Sequence, residues 1–344
     1  MAGLLAFLLG GAGFVANGQD APAVSLRIRE PWCNVFGGRA ATFNVEVAAR
    51  NGFDGRLGWR LAADGRTLDR GEAAVRVGAG ASQAVEIPLR IPDVKPGVVM
   101  DASLEVAVGP AGAGDGGASA ARRLWVFPDD PFADRRDWLK GLSIRLFDPA
   151  GKTAEVFRQA NVPAEFVDRV DALAGAGTNL IVVGEGVSFE EYRGLAEVLT
   201  RAAAAGARVL CLAPANGRFA MPGMGGADLP VPRSVAFRQH DVIRELDKRL
   251  DAEAWSPDGK VAACRLNPVG DRGPVVCEVT VDGPGWPWVD IAFDGGGRLL
   301  VCGFAVIGKW DAGPTPRFLF AKMLEEVVAA APGSHSQEAH DEGR

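Results

Sequence analysis

The sequence predicts two folded parts, an all-β part followed by an α/β part built on a mostly parallel sheet. From about Val24 to Phe127, short segments that alternate apolar and polar residues are separated by turn residues. Such alternation is typical of half-buried strands. From Leu142 onward, apolar strands alternate with amphipathic helices. This second pattern favours a parallel sheet that helices cover on both faces.

The first part, residues 22–128, is predicted to be an immunoglobulin-like β-sandwich, because its seven short strands have the spacing of that fold. Between Ala41 and Val47 every second residue is apolar, so one face of this strand should be buried. Pro88 has no amide hydrogen to donate, which predicts an edge position for its strand. The expected strands are Val24–Ile28, Ala41–Val47, Leu57–Leu61, Ala73–Val77, Ala84–Ile91, Ser103–Val108 and Arg122–Val126.

A Pro- and Asp-rich linker, residues 129–139, leads into the α/β part, residues 140–331. A glycine-rich coil is expected over Pro214–Pro232, and the polar tail, residues 332–344, is expected to be disordered. Short turns between three late strands predict antiparallel pairing there. The expected helices are Lys152–Ala160, Phe189–Ala205, Asp241–Leu250 and Pro314–Ala331. The expected strands are Leu142–Phe147, Ala164–Val167, Asn179–Val183, Arg208–Ala213, Val261–Leu266, Pro274–Val281, Trp288–Phe293 and Arg298–Val306.

The first eighteen residues resemble a signal peptide. The apolar run from Leu4 to Val15 is shorter than the roughly 20 residues that a membrane-spanning helix needs. Small residues, Ala16 and Gly18, stand at −3 and −1 before Gln19, as at a cleavage site, although no Lys or Arg precedes the run. We therefore predict export to the periplasm or the cell exterior, with no integral membrane span after cleavage.

Composition argues against nucleic acid, metal and cofactor binding. The net charge is −6 and no basic run occurs, so nothing in the sequence attracts a polyanion. The five cysteines form no CxxC pair, and metal-ligand spacing is absent. In an exported chain, a disulfide between Cys264 and Cys277 across a hairpin is an alternative that the sequence does not decide. His240-Asp241 resembles the start of an HD phosphohydrolase site, but that chemistry needs several further ligands; Asp241 more simply begins a helix.

Glu185 lies where an open α/β sheet holds its ligands, directly after an apolar strand and between two glycines. Ser188 and Glu191 have the spacing of a capping box, which predicts a locally satisfied helix start. Glu185, Glu190 and Glu191 would repel a phosphate. Glu185 is therefore predicted to be a carboxylate at the lip of a cleft and not part of a phosphate loop.

The order of elements from Leu142 to Ala331, with the phrase Gly297-Arg-Leu-Leu-Val-Cys-Gly303, resembles a class I glutamine amidotransferase-like domain, a flavodoxin-type sheet with an antiparallel insertion before its last strand and helix. The stretch Leu124-Trp-Val-Phe-Pro128 resembles the immunoglobulin-like modules of bacterial β-galactosidases. Some of those enzymes carry an amidotransferase-like domain that assembles the oligomer.

The resemblance implies a catalytic cysteine on a G-x-C-x-G elbow after the fourth parallel strand and a histidine after the last strand. Here Cys211 lies inside its strand without flanking glycines, and Pro214–Asn216 occupies the elbow position. No histidine follows within Gly303–Trp310. Acyl transfer by this route has no nucleophile.

The sequence thus predicts a non-catalytic exported binding or assembly protein in a cell-envelope or polysaccharide context, with a protein or glycan partner and a possible homo-oligomer. Its ligand-binding candidates are Glu185, Asn216 and Trp310. The alternative is a hydrolase acting on a glycan or ester, for which the acids would be Asp148, Glu185 and Asp311. A sugar platform would be formed by Trp286, Trp288 and Trp310.

Overall fold

The structure is a computed structural model that describes residues 23–110, 117–173, 179–220, 229–270, 273–275, 279–280 and 283–329. The predicted signal peptide, Cys277 and the predicted disordered tail lie outside the described residues. The described chain consists of an all-β part, residues 23–127, and an α/β part, residues 136–329, joined by residues 128–135. No described helix combines the length and the apolar character that crossing a bilayer requires.

The all-β part contains the seven predicted strands and one more. Its strands are β1 (Val24–Ile28), β2 (Asn34–Phe36), β3 (Ala40–Ala49), β4 (Phe53–Ala63), β5 (Arg66–Val77), β6 (Ala81–Arg90), β7 (Met100–Pro110) and β8 (Ser119–Phe127).

These strands form two sheets that enclose one apolar core. One sheet has the order β1-β3-β6 and the other the order β2-β8-β7-β4-β5. Side chains such as Val45, Leu57 and Leu104 are fully buried between them, as the alternating sequence pattern predicts. β6 lies at a sheet edge, which confirms the position predicted from Pro88. The unpredicted β2 pairs in parallel with β8 and faces the α/β part.

The α/β part contains five helices and twelve strands in its described residues. They are α1 (Arg136–Lys140), β9 (Ile144–Phe147), α2 (Lys152–Gln159), β10 (Glu165–Val167), β11 (Leu180–Val183), α3 (Leu195–Ala204), β12 (Arg208–Cys211), β13 (Arg218–Ala220), β14 (Ser234–Arg238), α4 (Val242–Leu246), β15 (Asn267–Gly270), β16 (Gly273–Pro274), β17 (Val279–Thr280), β18 (Gly283–Pro284), β19 (Trp288–Ala292), β20 (Arg298–Cys302) and α5 (Pro314–Val328). A 3₁₀ turn covers Val170–Ala172.

Seven of these strands form one mixed sheet with the order β10-β9-β11-β12-β20-β19-β14. The first five strands are parallel, and β19 is antiparallel to both of its neighbours. Successive residues of β11 are all buried, and they face opposite sides of the sheet. Leu180 and Val182 belong to the core beside α5, whereas Ile181 and Val183 belong to the core beside α3. Burial on both faces explains the continuous apolar run that predicted a parallel strand.

Several sequence predictions are wrong in this region. Arg218–Ala220 forms β13 inside the coil expected over Pro214–Pro232. The expected antiparallel pairing of the three late strands is replaced, because β19 pairs with β14 and β20. The helix expected from Phe189 begins only at Leu195, because Gly194 adopts the left-handed conformation at φ 83°. The helix expected to end at Leu250 ends at Leu246, where Asp247 becomes extended. The strand expected over Val261–Leu266 is reduced to isolated bridges at its second and last residues, because the segment crosses the end of β20 instead of pairing along it.

The buried guanidinium of Arg317 joins the two parts of the chain. It donates to the backbone oxygens of Trp310 and Asp129 at 2.7 and 2.8 Å and pairs with the carboxylates of Asp129 and Asp311. Its Cζ atom lies 4.7 Å from the ring centre of Phe36 in β2. Since Arg317 is on α5, this one side chain connects the last helix, the linker and the all-β part.

A second junction centres on the half-buried carboxylate of Asp251, which follows α4. It accepts hydrogen bonds from the backbone amides of Cys33 and Asn34 at 2.9 and 3.0 Å. The Asn34 amide group donates to the Thr315 hydroxyl at 2.7 Å. Burial raises the pKa of Asp251 to about 6, although these amides and the nearby guanidinium groups of Arg244 and Arg122 favour its charged form.

We predict that Arg317→Met lowers the free energy of unfolding by about 2–4 kcal/mol, because it leaves buried carbonyl groups without a donor. Arg76→Met is the matched control. Arg76 pairs with Asp54 on the surface, where its side chain is 83% exposed, so its loss should cost less than about 1 kcal/mol. Urea unfolding of both variants checks this, and equal losses would contradict the role given to Arg317.

We predict that Asp251 makes stability depend on pH. Its folded pKa of about 6 exceeds the roughly 3.9 of an unfolded aspartate, so the folded chain binds the proton more tightly. The resulting stabilisation is complete below about pH 4 and is lost as the pH rises through about 6, a change of about 1–3 kcal/mol. Urea unfolding across this range should show the wild type losing stability relative to Asp251→Asn; parallel curves would refute the assignment.

Candidate functional site

Six strands of the mixed sheet end at one edge, which is called the carboxyl edge here. The parallel strands β10, β9, β11, β12 and β20 end there, at Val167, Phe147, Val183, Cys211 and Cys302. β14 points the same way, because two antiparallel pairings relate it to β20. In open α/β sheets ligands bind at this edge, so it is the candidate functional site.

Glu185 connects two loops across the carboxyl edge. Its carboxylate accepts hydrogen bonds from the backbone amides of Ile307 and Gly308 at 2.7 and 3.0 Å, in the loop after β20. Its own amide donates to the Thr153 hydroxyl at 3.0 Å at the start of α2. Burial raises the pKa of Glu185, and the two amides oppose that rise. The side chain therefore lies over the end of β12 and holds the neighbouring loops together.

The Asp148 carboxylate binds the backbone in the first turn of α2. One carboxylate oxygen accepts the backbone amide of Ala154 at 2.8 Å, whereas the other oxygen is buried without a hydrogen-bond partner. This second oxygen lies against Gly184, where an added Cβ atom would come within 2.7 Å of it. Gly184 is thus required by the close approach of Asp148.

The other predicted site residues have different partners. Asn216 is exposed, and its side chain bonds with Glu190 and with the backbone amide of Arg218, each at 3.1 Å. Trp310 is 4% exposed and packs edge-on against Phe320. Asp311 is exposed and pairs with Arg317. Trp310 and the buried Trp288 therefore lack the open ring face that a sugar platform needs.

The three cysteines near the carboxyl edge do not carry a reactive thiolate. Cys211 and Cys302 are completely buried, and burial raises the pKa of each thiol. Burial also raises the pKa of the half-buried Cys264 to about 12, and the carboxylate of Glu185 adds to that effect. A nucleophilic cysteine needs the opposite shift. Within the described residues, no three His, Cys, Asp or Glu side chains form a group that could hold a metal ion.

A cavity of about 760 Å³, called the edge cavity here, opens beside these residues. The sequence analysis did not predict it, because no strand was expected directly before His240. The run Ser234-Val-Ala-Phe-Arg238 alternates as a strand does, and β14 brings His240 to the carboxyl edge. The cavity is lined by Pro31, His240, Ala252, Glu253, Ala254, Asp258, Gly259, Lys260, Val261, Ala262, Ala263, Cys264 and Arg265.

A larger concavity of about 1050 Å³ lies on the face formed by β4, β5, β7 and β8, far from the carboxyl edge in the fold. Its lining includes small residues such as Gly58 and Ala107. Among the charged side chains at its rim, Arg60 pairs with Glu105 at 2.7 Å, and Glu72 pairs with Arg56 outside the lining. The indole Nε1 of Trp59 in this lining is buried without a hydrogen-bond partner. The edge cavity lies at the strand ends, where open α/β sheets bind their ligands, and is therefore the better candidate.

No protein-family model and no curated protein matches this chain. Among solved structures, the sporulation control protein Spo0M of Bacillus subtilis is 16% identical at a TM-score of 0.23, over 35% of this chain and 56% of that one. A Paenibacillus sp. cycloisomaltooligosaccharide glucanotransferase is 12% identical at a TM-score of 0.26, over 55% and 28%. The C-terminal domain of wzt is 14% identical at 0.24, over 31% and 74%. These overlaps span less than two thirds of the first two chains and carry no argument about function.

We predict that Gly184→Ala destabilises the chain by about 1–3 kcal/mol, because the new methyl group displaces the Asp148 carboxylate from its helix. In the Gly184→Ala/Asp148→Ala double variant the clash disappears. The loss of stability in the double variant should therefore be smaller than the sum of the two single losses by about 1 kcal/mol or more. Gly186→Ala is the control: it meets open space at φ 86° and loses only about 1 kcal/mol, independently of Asp148. Additive losses at Gly184 and Asp148 would contradict the contact.

Proposed function

We propose that this chain is a non-catalytic, exported binding or assembly protein, built from an immunoglobulin-like sandwich and a degenerate amidotransferase-like domain. The strand order of the mixed sheet supports the second assignment. In chain order, the five parallel strands stand as second, first, third, fourth and fifth, which is the flavodoxin-type order. Strands β14 and β19, which extend the sheet beyond β20, precede β20 in the chain, as the antiparallel insertion of that family does.

The described cysteines at the carboxyl edge support a non-catalytic role, because burial raises the pKa of each thiol. The last residue of β12 is the buried Cys211, and Ala213 and Pro214 are buried after it. Cys264 and His240 both line the edge cavity, yet the raised pKa of Cys264 keeps its thiol protonated at neutral pH. Acyl transfer through a thiolate is therefore disfavoured at each of these positions.

The observation that carries the proposal is the hydrogen bonding of Glu185. Both carboxylate oxygens accept backbone amides of the loop after β20. A catalytic acid or nucleophile must instead present an oxygen to the substrate. Asp148 and Asp311 are engaged with α2 and with Arg317. The strand-end carboxylates thus stabilise the carboxyl edge. We therefore assign ligand binding to the surface around that edge.

One observation favours the alternative, a hydrolase acting on a glycan or ester. Burial raises the pKa of Glu185, and a raised pKa is what a carboxylic acid needs to donate a proton near neutral pH. Asp148, with one buried oxygen unbonded, lies beside Gly184. A hydrolase on this pair would require the loop carrying Ile307 and Gly308 to release Glu185.

We predict that Glu185→Gln lowers the free energy of unfolding by about 1–3 kcal/mol, since the amide NH₂ group replaces one of two acceptors. It should leave ligand binding unchanged. Wild type and variant are tested on a glycan array and on a panel of chromogenic glycosides and esters. Both proteins should bind the same glycans with equal affinity, and neither should turn over a substrate. Light scattering tests the assembly role, for which a multimer is expected.

Glu191→Gln provides the matched control, because Glu191 is an exposed carboxylate on the same loop; its stability should equal that of the wild type within about 0.5 kcal/mol. Turnover that Glu185→Gln abolishes and Glu191→Gln preserves would replace the binding role with the hydrolase.

A further inference from the structure

We propose that one water molecule binds where the all-β part meets α5 and forms hydrogen bonds to both parts of the chain. Its site is a cavity of about 10 Å³, called the junction cavity here, whose lining includes Asn34 in β2, Asp251 after α4 and Thr315 in the first turn of α5. This space matches a single water molecule. The site goes beyond the proposed binding function and does not depend on it.

The Asn34 side chain carries the polar atom that calls for a ligand. Asn34 is 5% exposed, and its Oδ1 atom is buried without a hydrogen-bond partner among the described residues. The rest of the residue is fixed, because its side-chain amide donates to the Thr315 hydroxyl at 2.7 Å and its backbone amide donates to Asp251 at 3.0 Å. A buried oxygen without a hydrogen bond is unfavourable, and a water molecule in the junction cavity would donate to it.

The charges around the junction cavity favour a neutral ligand. The half-buried carboxylate of Asp251 lines the cavity and repels an anion. The first turn of α5, a helix of 15 residues, lines it as well, and the positive amino end of a helix repels a cation. The nearby guanidinium groups of Arg244 and Arg122 act on Asp251 and oppose a cation too.

Water also has the hydrogen-bonding capacity that this lining requires. It can donate to the Asn34 Oδ1 atom and to the Asp251 carboxylate. It can accept from the backbone amide of Thr315, since the amides of a first turn have no partner within their helix. A buried water is held by two to four polar groups, and these three all belong to residues that line the cavity. An ammonium ion can only donate and would leave the amide unpaired.

The water would act next to the wall of the edge cavity. Trp32 lines the junction cavity, and the residue before it, Pro31, lines the edge cavity. A water that joins β2 to α5 therefore helps to fix the connection that carries this wall.

Crystallography of the full chain tests the site directly. The electron density should show one oxygen atom about 2.6–3.2 Å from the Asn34 Oδ1 atom, which is hydrogen-bonding distance. A second crystal, soaked in thallium(I) acetate, distinguishes water from a monovalent cation. Thallium(I) scatters anomalously and replaces such cations, so no anomalous peak is expected in the junction cavity.

The variant Gly313→Ala should displace the water. Gly313 lines the junction cavity, and the nearest atom to an added Cβ there is the Cβ of Ser256, also in the lining, at 3.9 Å. The methyl group therefore has room and takes up the space of the water. In solution, the nuclear Overhauser effect from water to the Asn34 side-chain amide should be seen in the wild type and lost in this variant.

The matched control is Gly58→Ala, in β4 of the all-β part. An added Cβ atom at Gly58 is equally unhindered, because its nearest neighbour is the backbone oxygen of Ala107 at 4.0 Å. Gly58 does not line the junction cavity, so this variant should keep both the density and the nuclear Overhauser effect.

Three results overturn the proposal: no density next to the Asn34 side chain, a thallium peak in the junction cavity, or a water that stays bound in Gly313→Ala. Each of these would leave the non-catalytic role standing, because that role fails only if the protein turns over a glycan or ester.

Discussion

The structure depends on one buried cation, the guanidinium of Arg317. A buried charge is tolerated only when it is paired and hydrogen-bonded. Arg317 obtains its partners from two places: Asp129 in the linker, and Trp310 and Asp311 in the loop after β20. Trp310 follows Ile307 and Gly308 closely in this loop, and the backbone amides of those two residues hold Glu185. The same interaction that attaches the all-β part therefore positions the loop that closes the carboxyl edge.

Asp251 adds a second constraint to this junction. Its hydrogen bonds to Cys33 and Asn34 place the β1–β2 connection against the α/β part. Pro31 lies in that connection and lines the edge cavity. The shape of the cavity therefore depends on how the two parts are joined, and not on the mixed sheet alone. A change of charge at Asp251 acts close to the same wall, which links the stability of the junction to the geometry of the cavity.

Sequence patterns predicted the elements whose positions follow from short-range periodicity. The strands of the all-β part are half-buried and alternate, so their positions could be predicted, although β5 begins at Arg66 and not at Ala73. β2 has only three residues and therefore no such period. Glu185 could be placed at a strand end, because a continuous apolar run precedes it. Its partners could not be predicted, since Ile307 is 122 residues away in the chain and only tertiary packing brings the two loops together. His240 was missed for a related reason, because two strand reversals determine the direction of β14.

The hydrogen bonding of Glu185 explains why a binding site would lie beside the carboxyl edge and not on it. The backbone amides that follow a parallel strand are donors without a sheet partner, and in an open α/β sheet such donors attract an anionic ligand. In this chain the donors after β20 are taken by a carboxylate of the chain itself. That contact stabilises the loop but removes the usual anion position. An external ligand then depends on the adjacent edge cavity, where the junction with the all-β part provides one wall through Pro31.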